Sequence, residues 1–218
     1  MLDGKIRRAI DPILNRFGST IARGGIGANA ITVTGFLIGV GAWAALGFEQ
    51  HLLALILILS NRIADGFDGA VARQTGTTDL GAYLDIVLDF IFYAGVPFFF
   101  AVGRPETALP AAFLVLSFVG TGTSFLAFSI IAAKRGLTTA SRGRKSIYYL
   151  GGLTEGAETI AFFVLICLFP QHFGAFAWIF GGMCWLTTTC RIVTAVSSFR
   201  RQKLNVLNVD VDTSLAKK

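Results

Sequence analysis

Residues 65–89 read DGFDGAVARQTGTTDLGAYLDIVLD, flanked by HLLALILILS at 51–60 and FIFYAGVPFFFAVG at 90–103. Asp65 and Asp68 are three residues apart, and Asp85 and Asp89 four apart. Both spacings put a pair on one helix face. A short loop around Thr75–Asp79 joins the two segments and makes them antiparallel neighbours. Four carboxylates can therefore converge near one end of a hairpin whose flanks are long and apolar.

The rest of the chain is of the same kind. Of 218 residues, 54% are hydrophobic and only 15% charged, and the mean hydropathy is +0.66. Globular chains carry roughly 25% charge, so there is too little polar surface for a soluble fold. Five prolines, 20 phenylalanines and the absence of low-complexity tracts exclude a disordered or fibrous protein. The apolar runs predict an all-α integral membrane protein with six transmembrane helices, at about 30–48, 52–74, 80–103, 107–133, 147–169 and 173–198. Residues 2–22 instead place Ile6, Ile10, Ile13, Leu14 and Phe17 at helical spacing between basic residues. This predicts an interfacial amphipathic helix lying among headgroups, broken or begun at Asp11–Pro12. Residues 1–203 form one membrane domain, and 204–218 are expected to be a disordered cytoplasmic tail. Cys167, Cys184 and Cys190 sit in apolar stretches and read as small core residues rather than metal or redox groups.

Lysine and arginine set the orientation. Five lie before the first span, five in the loop after the fourth (Lys134, Arg135, Arg142, Arg144, Lys145) and five in the tail, whereas the other face keeps Arg104. The positive-inside tendency then predicts cytoplasmic N- and C-termini. The net charge of +6 reflects topology and anionic lipid, not nucleic acid. Arg62, Arg73 and Arg191 fall within or at the ends of spans.

Carboxylates in a bilayer cost several kcal/mol, about 2.5–3.5 on insertion scales, yet Asp65, Asp68, Asp85, Asp89, Glu155 and Glu158 all fall inside the predicted spans. Four converging negative charges need neutralising by protons or a cation. Oxygen-only ligands favour Mg²⁺ or Mn²⁺, with Ca²⁺ an alternative. His51 and His172 belong to the opposite-side loops and read as ordinary interfacial residues. Gly66, Gly69 and Gly81 open backbone near the acids to a ligand or a neighbouring helix. Arg73 can meet a phosphate bidentately. Metal, arginine and open backbone at headgroup level suggest a phosphate-rich substrate with a lipid tail.

The pattern Asp65-x-x-Asp68-Gly69-x-x-Ala72-Arg73, seven residues, then Gly81-x-x-x-Asp85-x-x-x-Asp89 resembles the signature of the CDP-alcohol phosphatidyltransferases, in a bacterial inner-membrane branch. Asn29 and Thr32 resemble a family Pro-Asn-x-x-Thr element, with Ala28 in place of proline. The resemblance implies that Asp65, Asp68, Asp85 and Asp89 form the divalent-cation site, with one or two Mg²⁺ or Mn²⁺ ions. Asp65, Asp68, Gly69, Ala72, Arg73 and Gly81 would bind the cytidine diphosphate, and Asp89 would take the proton of the acceptor hydroxyl. The implied reaction moves a phosphatidyl group from CDP-diacylglycerol to a small polar alcohol and releases CMP. It also implies a multi-pass protein of the bacterial inner membrane, its site facing the cytoplasm, and a homodimer.

The acceptor is open at this level. Lys134, Lys145 and Arg191 could bind an anionic one, whereas Glu155 and Glu158 could bind an amine or polyol, or simply pair with Arg191. The balance leans toward a phosphorylated polyol such as glycerol 3-phosphate or inositol phosphate. The alternatives are inositol, serine or another neutral polyol or amino alcohol, and, from other classes, a carboxylate-based cation or proton transporter or a membrane scaffold.

Overall fold

A computed structural model describes residues 3–134 and 154–215, with side chains described for 11–134 and 154–199. The helices are α1 (Asp3–Arg23), α2 (Ala28–Gly47), α3 (His51–Thr75), α4 (Asp79–Gly103), α5 (Ala108–Lys134), α6 (Gly156–Leu168) and α7 (Phe173–Leu215). Single 3₁₀ turns at Pro105–Thr107 and Pro170–His172 lead into α5 and α7. No strand occurs among the described residues.

By length and composition, four segments can cross a bilayer: Ala28–Gly47, Asp79–Gly103, Pro105–Lys134 and Pro170–Phe199. They match four of the six expected spans. The second expected span is α3, whose 25 residues include Arg62, Asp65, Asp68 and Arg73. The fifth is seen as the 13-residue α6, and its expected start at 147 lies outside the described residues. Bulky apolar side chains such as Leu37, Phe98, Leu109 and Ile179 are exposed, as expected where lipid rather than water is the solvent.

Two boundaries differ from expectation. α1 runs through Pro12 without a break. An interior proline costs about 3 kcal/mol, and just beyond it Leu14, Phe17 and Gly18 pack on α3. α7 continues to Leu215, so the backbone of 204–215 is helical where a disordered tail is expected. No glycine or proline follows Gly182, and propagating an existing helix needs no new nucleus.

α2 packs along α3 and α4, α1 lies on α3, α6 also packs on α3, and α5 bridges α4 and α7. The core is largely aromatic. Phe100 stacks on Phe173 with ring centroids 4.0 Å apart, and Phe162 on Phe180 at 4.7 Å. Trp43 stacks on Phe99, and its Nε1 donates to the Phe92 carbonyl at 3.4 Å. Cys167 and Cys184 are buried in this core as expected, whereas Cys190 is exposed. His51 and His172 lie against Phe100 and Phe176, away from the acids.

Small residues set how closely the first helices approach. A methyl group on Gly35 would stand 2.9 Å from Ala64 Cβ, and one on Gly39 would stand 2.7 Å from the Phe92 ring. That closeness lets α2 wall the acidic ends of α3 and α4.

Candidate active site

The acids are placed by the α3–α4 turn. Gly76 has φ +97°, a region open to glycine and strained for other residues. Its N–H closes α3 on the Ala72 carbonyl at 2.9 Å. Thr78 caps α4, its hydroxyl accepting from Gly81 N–H at 3.0 Å, and Asp79 sits in the first turn beside the positive helix end. The chain reverses in three residues, so Asp65 and Asp68 descend α3 opposite Asp85 and Asp89 on α4.

A narrow cleft lies between α2, α3 and α4, lined by Thr32, Gly35, Phe36, Asn61, Arg62, Asp65, Asp68, Asp85, Leu88 and Asp89. Asp65, Asp68 and Asp85 each offer a carboxylate oxygen, all within 4.8 Å of one another. Asp68 is buried, and its Oδ2 has no hydrogen-bond partner. An orphaned buried carboxylate oxygen is costly unless something positive meets it. Three converging oxygens with no sulfur or imidazole among them suit a hard divalent cation. The residues present therefore fit the expected Mg²⁺ or Mn²⁺.

Asp89 stands outside that group of three. Its Oδ1 accepts from Arg62 NH2 at 2.7 Å, while Arg62 NH1 donates to the Tyr93 hydroxyl at 3.1 Å and Nε to Asn61 Oδ1 at 2.7 Å. Asp65 lies 3.7 Å from Arg62 NH1. The buried Asn61 is fixed in turn by its donation to the Gly35 carbonyl at 2.7 Å. Of the expected four acids, Asp65, Asp68 and Asp85 converge, and Arg62 pairs with both Asp65 and Asp89, more closely with Asp89.

The expected nucleotide-binding residues follow the last turns of α3. Gly69 is open apart from Arg73 NH1, which would stand 3.5 Å from a methyl group there. Ala72 is half-buried. Arg73 is held by α1, its Nε and NH2 donating to Asn15 Oδ1 at 3.1 and 2.9 Å, with Asp11 3.7 Å away. At Gly81 a methyl group would meet Asn29 Oδ1 at 2.9 Å and Thr78 Oγ1 at 3.1 Å. Gly66 serves a helix rather than a ligand, since a methyl group there would meet Leu14 at 2.9 Å.

Of the expected acceptor residues, the described ones (Lys134, Glu155, Glu158 and Arg191) do not line this cleft. Lys134 ends α5 and is exposed, and Lys145 lies outside the described residues. Glu158 accepts from the Glu155 N–H at 3.1 Å, forming the cap of α6. Arg191 donates to the Thr121 carbonyl at 3.0 Å, lies over the Phe125 ring and is within electrostatic reach of Glu155.

The CDP-alcohol phosphatidyltransferase family model matches residues 26–196. The chain belongs to that family. It is 50% identical over 193 residues to inner membrane protein YnjF of Escherichia coli, covering 88% of this chain and 94% of that one. It is 36% identical over 100 residues to the archaetidylinositol phosphate synthase of Pyrococcus horikoshii, covering 45% of this chain and 53% of the other. In fold it resembles the Mycobacterium tuberculosis phosphatidylinositol phosphate synthase PgsA1 with CDP-DAG bound. There the TM-score is 0.61 at 20% identity, covering 84% of this chain and 94% of that chain.

As a CDP-alcohol phosphatidyltransferase, the chain is an enzyme rather than a transporter or scaffold. Reading the sequence alone missed Arg62, Asn61, Tyr93 and Asn15 as members of the site. Arg62 had a visible signal, because a cation inside a span needs a partner, and Asp65 lies one turn away on the same face. The Asn15–Arg73 contact had none, since 58 residues separate the two.

Proposed function

We propose that the chain transfers a phosphatidyl group from CDP-diacylglycerol to a hydroxyl of a phosphorylated polyol of the inositol phosphate or glycerol 3-phosphate kind, in a reaction that requires Mg²⁺ or Mn²⁺. The observation that carries the reading is the convergence of Asp65, Asp68 and Asp85 within 4.8 Å beside a separately held Asp89. Asp65, Asp68 and Asp85 hold the cation, which when bound neutralises charge on the pyrophosphate oxygens and eases departure of CMP. Gly69, Ala72, Arg73 and Gly81 lie along the cytidine diphosphate. Asp89 takes the proton of the acceptor hydroxyl, whose oxygen bonds to the phosphorus carrying the lipid. The bond from that phosphorus to the CMP oxygen breaks, and CMP leaves with the electron pair.

The acceptor assignment draws on the printed activities of the archaetidylinositol phosphate synthase and the phosphatidylinositol phosphate synthase above, and on Arg191, a cation inside α7. Lys134 at the end of α5 adds positive charge, whereas the capping role of Glu158 leaves it less suited to an amine acceptor. The enzyme sits in a bacterial inner membrane as a homodimer, with both termini and the site cytoplasmic and α1 at the interface. The distribution of lysine and arginine supports this orientation.

The test is CMP release from protein in nanodiscs given CDP-diacylglycerol, Mg²⁺ or Mn²⁺, and one acceptor at a time: inositol 1-phosphate, glycerol 3-phosphate, inositol, serine, glycerol or ethanolamine. The expected result is release with a phosphorylated polyol, abolished by EDTA and lowered about 10²–10⁴-fold in Asp89→Asn, the usual weight of general-base catalysis. Release with serine or inositol instead would overturn the acceptor, and full activity in Asp89→Asn would remove that residue from the chemistry.

A further inference from the structure

α1 is seated on α3 by apolar contact. A methyl group on Gly18 would stand 2.7 Å from Ala70 Cβ, Leu14 closes on Gly66, and the Phe17 and Phe67 rings meet edge-on with centroids 6.3 Å apart. Gly66, Ala70 and Arg73 share one face of α3, and Asp11, Leu14, Asn15 and Gly18 share one face of α1. The crossing therefore carries Asn15 and Asp11 to the last turns of α3, where Arg73 stands.

Arg73 is 45% exposed, and a long exposed side chain ordinarily keeps much of its rotamer freedom. Here Nε and NH2 both donate to Asn15 Oδ1, at 3.1 and 2.9 Å. A guanidinium has five N–H groups, and these contacts take two of them on one edge of the fork. NH1 lies beside Gly69, 3.5 Å from the place a methyl group there would occupy. Glycine leaves that place empty, so an anion can approach NH1 without meeting a side chain of residue 69.

The chemistry of the partner matters as much as its position. An amide oxygen is neutral, so Asn15 orients the fork and leaves its positive charge intact. A carboxylate in the same place would hold the fork at least as firmly but would cancel the charge. Asp11, the neighbouring acid of α1, stays 3.7 Å from NH2, beyond hydrogen-bonding distance. Arg62 is the contrast, because its NH2 meets Asp89 at 2.7 Å. Of the two arginines of α3, one is matched to carboxylates and the other is held by an amide.

We propose that Asn15 is the positioning residue for Arg73, aiming its guanidinium at the nucleotide diphosphate without neutralising it, so that α1 completes the nucleotide site. The inference rests on the reading of Arg73 as a contact to cytidine diphosphate. It adds a residue from outside the 65–89 stretch, on a helix docked by apolar contacts of its own.

The experiment uses full-length protein in nanodiscs, with CDP and Mg²⁺ as the probe. The variants are Asn15→Asp, Asn15→Ala, Arg73→Ala and the Asn15→Ala/Arg73→Ala double. CDP affinity is read by isothermal titration calorimetry and stability by thermal unfolding. KM and kcat for CDP-diacylglycerol are added with whichever acceptor gives CMP release. Asn15→Asp should weaken CDP about 10-fold, the low end for losing a hydrogen bond to a charged group. It should nevertheless melt at or above the parent's temperature, because the fork then meets a carboxylate. The loss should fall in KM rather than kcat, as for binding shared by ground and transition states. Asn15→Ala should weaken CDP several-fold in the parent and have no further effect once Arg73→Ala is present.

A contact that only fastened α1 would give another pattern. Asn15→Asp would then bind CDP as tightly as the parent, or would lose affinity and melting temperature together. Either result overturns the proposal, as does an equal loss from Asn15→Ala with and without Arg73. The two levels fail separately. No CDP binding by the parent would refute the phosphatidyl-transfer reading, whereas normal parent binding with unchanged Asn15 variants would refute the proposal alone.

Discussion

Neutralising Asp68 should make the metal-free protein more stable while removing its response to metal. Asp68, Asp65 and Asp85 place carboxylate oxygens within 4.8 Å of one another. At an effective dielectric constant near 20, each pair of unit charges at that distance repels by about 3.5 kcal/mol, so Asp68→Asn removes roughly 7 kcal/mol of gross repulsion. Asp85 is exposed, and screening with counter-ion uptake leaves on the order of 1–2 kcal/mol of net effect. Asparagine fills the same volume, so no cavity offsets the gain. Metal acts in the opposite sense. At about 100 times its dissociation constant a ligand adds about 2.7 kcal/mol to the state that binds it, which for a chain of this size raises Tm by about 5–10 °C. The assay is thermal unfolding in nanodiscs with EDTA and then across a Mg²⁺ titration. In EDTA, Asp68→Asn should melt about 2–5 °C above the parent, and it should lose most of the Mg²⁺ shift. A variant that melts well below the parent in EDTA, or keeps the full Mg²⁺ shift, would refute the three-carboxylate site.

Further outcomes follow from contacts around the site. Gly18→Ala puts a methyl group 2.7 Å from Ala70 Cβ and 3.1 Å from its backbone carbon, and backbone cannot yield. It should cost about 1–3 kcal/mol, the usual cost of overpacking, and loosen α1, seen as faster proteolysis within residues 3–23. Arg73→Lys loses the two-pronged contact with Asn15 and the planar fork for a diphosphate. KM for CDP-diacylglycerol should rise about 10-fold, and an unchanged KM would remove Arg73 from nucleotide binding. Thr154→Val breaks the buried hydroxyl pair with Thr187 at 3.1 Å, the tie between the start of α6 and α7. Unfolding should then become easier by about 1–3 kcal/mol, with CMP release per folded molecule unaltered.

The helical hairpin and its acids were legible because both depend on short-range periodicity. Spacings of three and four residues place Asp65 with Asp68 and Asp85 with Asp89 in any helix, and the three-residue turn from Gly76 to Thr78 leaves only an antiparallel return. Glycine was legible as a demand for space but not for what fills that space. Gly66 receives Leu14 of α1 and Gly81 lies beside Asn29 of α2, neighbours that are distant in sequence. Polar residues after 203 say little about where a helix already under way will stop, and the backbone of α7 runs to Leu215.

By itself the sequence determined the membrane class, the helical character, the reaction family and the four aspartates of the cleft. Those rest on composition and on spacings within one turn of helix. Only the tertiary structure decided which partners each of the four acids meets. Asp89 meets a guanidinium 27 residues away, which is held by an asparagine anchored to a third helix and lies beside aromatic rings packed from a fourth. Charge interactions in a low-dielectric cleft change steeply over an ångström or two, and distances of that size are set by packing between helices rather than by order along the chain.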